Sequence, residues 1–92
     1  MDYSLVTKAK LMLAKSPTQA AAAQVWWNAV CDALHAHYIA QRPKPKSFEV
    51  HHANETARAA FLQALVDGAD FPACKAAALA RIGIDEVETA RK

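Results

Sequence analysis

The sequence predicts an all-α fold, a compact bundle of four main helices plus a short C-terminal helix, and three observations carry that prediction. Ala fills 22 of the 92 positions and Gly only 2; Ala is the best intrinsic helix former and Gly among the worst. β-Branched residues never alternate with polar ones over a usable length, so no strand pattern competes. Apolar residues recur instead at helical spacing, in stretches set apart by Pro and Gly. Ninety-two residues are enough for one domain with a modest core. The chain reads as a single helical domain over 1–92, with a helical hairpin over 3–41, a basic Pro linker over 42–46 and a second helical pair over 54–83.

The first helix is expected from Tyr3 to Lys15, capped by Asp2 or Ser4, with Leu5, Val6, Ala9, Met12 and Leu13 on one stripe. Ser16-Pro17 breaks it, because the residue before Pro is driven out of the α region. Ser16 can cap the next helix, with Pro17 in a first turn where its missing N–H costs nothing. That second helix is predicted from Pro17 to Gln41. Ala23, Trp27, Val30, Leu34 and Tyr38 centre its apolar face, with Trp26 and Cys31 on the flanks. Gln24, Asn28, Asp32 and His35 lie opposite, yet Val25 and Ile39 share that polar side. Ala29, Ala33, Ala36 and Ala40 add a third, smooth face. A helix apolar around so much of its girth is either central in a bundle or engaged in a second contact.

Arg42-Pro43-Lys44-Pro45-Lys46 ends the helix in an extended connection. Phe48 and Val50 alternate weakly, so 47–53 reads as a short extended piece or an early helical turn. Asn54 is then taken as a cap, with Glu55 in the first turn and Ala57, Phe61, Leu62, Leu65 and Val66 as the stripe. Gly68 closes that helix in a left-handed conformation. Asp70 caps the fourth helix, Pro72 stands in its first turn, and Ala76, Leu79 and Ile82 point inward until Gly83. Asp85 and Glu88 have the spacing of a capping box for the last short helix.

Composition narrows the function classes. No apolar run approaches the ~18–20 residues that span a bilayer, so no membrane partner is expected. The N-terminus lacks the apolar core of a signal peptide, which makes the cytoplasm the expected compartment and Cys31 and Cys74 reduced thiols. Net charge is +2 overall, but residues 1–46 carry +4 and residues 47–92 carry −2. One half could meet an acidic surface, or unlike halves of neighbouring copies could attract.

Cys31 and His35 stand one helical turn apart, with His37, His51 and His52 nearby in sequence, but on the wheel Cys31 flanks the core and His35 does not. No CxxC or HExxH pattern accompanies them, and no metal, cofactor or catalytic residue is assigned. Nothing selects a nucleophile–base pair, and both glycines read as helix stops, which leaves no phosphate loop. An enzyme is not the reading favoured.

Residues 73–92, ACKAAALARIGIDEVETARK, resemble a helix-turn-helix, with Gly83-Ile84-Asp85 at the turn and Ala76 to Ala80 suited to a close helix crossing. That resemblance implies a second helix in the DNA major groove. The helix would begin Asp85-Glu86-Val87-Glu88, however, and three carboxylates where base contacts are made repel the phosphates. Thr89 also stands where a buried apolar residue is usual. An αα-hairpin that merely packs ranks ahead of a DNA reader.

Trp26-Trp27 is the strongest binding signal. Adjacent helical positions differ by ~100°, so the two rings cannot share one direction, and Trp is enriched in interface hot spots. The chain is therefore expected to be a small protein-interaction module, an assembly subunit or an inhibitor that masks a partner protein, of a type associated with bacterial and phage chains. The expected contact residues are Val25, Trp26, Ala29, Ala33, Ala36, Ile39, Arg42, Lys44 and Lys46. The partner is another protein, with a homo-oligomer as a variant; a DNA-binding regulator is the alternative.

Overall fold

The computed structural model describes residues 3–84. They form four helices and no strand, in the order α1 (Tyr3–Ala14), α2 (Pro17–Ile39), α3 (Ser47–Val66) and α4 (Phe71–Arg81). The all-α bundle expected from composition and periodicity is what the chain builds. Asp2, and everything from Asp85 onward, lie outside the described residues. So do the proposed capping box at Asp85 and Glu88 and the second helix of the helix-turn-helix resemblance.

Local chemistry sets most helix ends. Ser16 is extended (φ −147°, ψ 105°), and its hydroxyl accepts from the Gln19 N–H at 3.3 Å, with Pro17 at the first helical position. Asp70 repeats the device, its carboxylate accepting from the Ala73 N–H at 2.9 Å. Each of these caps satisfies an N–H that the helix geometry leaves unpaired. At the other ends, α3 and α4 close alike. Gly68 (φ 93°) donates to Leu65 O while Ala69 donates to Ala64 O; Gly83 (φ 79°) donates to Ala80 O while Ile84 donates to Leu79 O. This paired pattern needs a left-handed residue, and glycine takes that conformation without a Cβ penalty. α2 ends differently. The Arg42 guanidinium folds back to donate to the carbonyls of Ile39 (2.8 Å) and Gln41 (2.7 Å). Helix C-termini favour a cation there.

The third helix corrects the sequence reading. It starts at Ser47, not at an Asn54 cap. Lys46 is extended, and the Glu49 carboxylate reaches back to accept from its backbone N–H at 3.2 Å. Half-buried Val50 begins an inner stripe that continues through Ala53, Ala57, Phe61 and Leu65, while Phe48 is 66% exposed. The weak Phe48–Val50 alternation is thus the outer and inner faces of one helical turn. Asn54 stands within the helix, half-buried.

Val30 and Leu34 of α2, Phe61 and Leu65 of α3, and Cys74, Ala78 and Leu79 of α4 form the middle of the core, joined by Ala9 and Ile84. Alanines at the crossings (Ala53, Ala57, Ala78) let the backbones approach closely. Among the described residues no polar or charged side chain is buried. α3 and α4 make the most extensive pairing and α4 also packs on α2. α1 leans chiefly on α3, and its contact with α2 is the slightest of the helix pairings.

Candidate functional site

α2 has an inner and an outer side, and the expected binding residues divide between them. Trp27 turns toward α3 and meets Phe61 edge to face, with centroids 5.8 Å apart and planes at 70°. Trp26, about a third of a turn away, turns toward α4, where the Lys75 ammonium sits 6.0 Å from its ring centroid. Both indoles are half-buried and pack against the core. The adjacent tryptophans therefore straddle the line where α2 rests on its two neighbours. Trp26 faces the bundle, away from the outer surface on which the sequence reading relied, because α4 is there to cover it. Ala33 is half-buried against the same core, and Ala29 is half-buried at its margin.

Val25, Ala36 and Ile39 remain outside. Their 3.6-residue phase puts them on one stripe with Asp32, and Val25 and Ile39 are 66% and 72% exposed. Below Ile39 the surface dips into a cavity of about 180 Å³ lined by His35, Tyr38, Ile39, Lys44, Pro45 and Val50. The linker that closes this dimple is the basic one. Arg42, Lys44 and Lys46 are all exposed, although Arg42 is already engaged with the α2 C-terminus. Lys46 lies over the exposed Phe48 ring, 6.0 Å from its centroid.

Sequence reasoning did not single out Phe48, Tyr38, Pro45 and Val50 for this surface. A readable signal existed for Phe48, an aromatic residue two positions after Lys46 in a basic Pro-containing run. The dimple itself needs the fold, since it forms only where the end of α2 meets the start of α3.

The thiols and imidazoles do not come together. Cys31 lies near Asn54 and Arg58 of α3, and burial with a smaller push from Asp32 raises its pKa against the lowering influence of those two residues. Burial also raises Cys74, seconded by Asp70. Both shifts oppose the lowered pKa that activates a cysteine nucleophile. His35 lines the dimple, His37 pairs with Gln41 at 2.9 Å, and His51 meets Glu55 at 3.2 Å. No three His, Cys, Asp or Glu side chains converge as a metal-binding set among the described residues. No described helix is long and apolar enough to cross a membrane. Compared with protein-family models, curated proteins and solved structures, the chain matches none.

Proposed function

We propose that this protein is a helical interaction module that binds a partner protein through the outer stripe of α2 and the basic end of that helix. One observation carries the reading: Val25 and Ile39 stay 66% and 72% exposed at the two ends of a stripe that leads into an apolar dimple beside Lys44. Interface hot spots are anchors seated in such pockets, ringed by polar residues that exclude water. The dimple suits a single Leu- or Phe-sized anchor, and Lys44 and Lys46 suit carboxylates around it.

The stripe also argues against a symmetric self-contact. Val25 and Ile39 are equidistant in sequence from Asp32, so two antiparallel copies centred on the stripe would set their Asp32 carboxylates against each other. Like charges directly opposed are unfavourable. A partner of different sequence can offer a donor there instead. From Val25 to Ile39 the stripe is ~21 Å long. At ~10 Å wide it presents on the order of 200 Å², short of the ~800 Å² per side of a standard stable complex. The dimple and linker must then add to the contact, and the complex sits at the transient end of the range.

Photo-crosslinking tests this. A photoreactive side chain at Ala36, in the full chain within extract of its own cells, is expected to give one major adduct with a foreign protein. Ile39→Glu should abolish it, and the same probe at Gln63 on α3 should not form it. Adducts of twice the chain's own mass, or equal labelling from Gln63, would overturn the reading.

A further inference from the structure

We propose that the cleft between α1, α2 and α3, at the opposite end of α2 from the dimple, binds a small monocarboxylate whose apolar body is a single ring or a short chain. The cleft opens where α1, which packs more on α3 than on α2, lies against both. Its floor is apolar and well buried: Ala9, Ala23 and Phe61 are between 2% and 5% exposed, and Leu65 is 6%. Trp27 and Leu13 form walls, and the space holds about 130 Å³. An apolar cavity of ~150 Å³ in another protein takes up benzene, so this volume matches one ring.

The mouth supplies the charge preference. Exposed Lys10 of α1 and Arg58 of α3 both line the cleft, and no carboxylate is among its lining residues. Neither cation is in an ion pair among the described residues. The third polar residue, Gln24, already donates its amide N–H to the Asn28 side chain at 2.9 Å. Two cations over an apolar pocket complement an anion attached to an apolar body. Arg in particular can hold a carboxylate with two parallel N–H donors. Neutral ligands of the same shape would gain the floor but not the mouth.

Phenylacetate and phenylacetamide, equal in size and unlike in charge, are the probes. Each is titrated into the full chain carrying Trp26→Phe, so that emission reports Trp27 in the cleft wall, with methyl NMR shifts of Leu13 and Leu62 as a second readout. For so few atoms a Kd on the order of 1 mM is expected for phenylacetate, with phenylacetamide about tenfold weaker. Arg58→Ala and Lys10→Ala, both at exposed positions, should each weaken the acid several-fold and leave the amide unchanged. Ala20→Phe, which fills the cleft from its rim, should abolish both. Equal affinity for acid and amide would overturn the anion preference. Absence of saturation at about ten times the expected Kd would overturn the site.

Discussion

Leu34 and Ile39 lie five residues apart on α2 but on opposite sides of it, and truncating each to Ala separates the packed face from the free one. Leu34 is wholly buried, 0% exposed. Leu34→Ala removes its burial and leaves a cavity, which together cost about 2–5 kcal/mol. Ile39 is 72% exposed, so roughly a quarter of the ~1.5–3 kcal/mol of full burial is at stake. Ala's better helix propensity returns up to ~0.7 kcal/mol. The net effect of Ile39→Ala should fall within about 0.5 kcal/mol of zero. A domain of this size is stable by about 5–14 kcal/mol, so the Leu34 variant should remain folded in the cold while melting at least ~10 °C lower. Urea unfolding followed by helical circular dichroism reads both variants, with an unchanged m-value showing that the two-state comparison holds. A cost above ~1.5 kcal/mol for Ile39→Ala would refute the reasoning, because it would mean that something already covers the outer stripe. A midpoint that rises with protein concentration would identify the cover as a second copy.

Asp70→Ala should cost about 1 kcal/mol, since it deletes the acceptor for the Ala73 N–H at the start of α4; Asp70→Asn should recover most of it in the same urea series. Cys74, 0% exposed, should react with a disulfide reagent far more slowly than half-buried Cys31 at neutral pH, and both rates should go on rising with pH past the ordinary thiol value of 9.0 instead of levelling off there. Because both folded-state values are raised, the folded chain holds more thiol protons than the unfolded one in that range. Stability therefore falls as pH climbs from 9.0 through the raised values, and Cys74→Ala should flatten that fall relative to the parent chain.

Which parts of this structure could be read from sequence follows from where the determining interactions lie. Ser16-Pro17, Gly68, Asp70 and Gly83 act within a turn of themselves, and each end they predict is close to the one observed. The start of α3 escaped because its cap is unusual. Lys46 has no side-chain acceptor, and the work falls to Glu49 reaching backward, while Asn54 offered a more familiar signal in the wrong place. The candidate surface shows the same division. Exposure of Val25, Ala36 and Ile39 follows from their phase on α2 once the core face is known. The fate of Trp26 does not, because it depends on α4, some fifty positions away, arriving alongside α2. The dimple and the cleft depend wholly on such distant meetings, and no local pattern announces them.

The unequal seating of α1 reaches beyond the shape of the cleft. Leu5 and Ala9 are the α1 side chains that are buried, while Leu11 and Met12 are 63% and 40% exposed. Helices anchored by so little apolar area detach locally at a free energy well below that of global unfolding. The backbone amides of α1 are therefore expected to exchange sooner than those of α2, α3 and α4. A molecule seated in the cleft would be registered first as slower amide exchange along α1, without any change in the average fold.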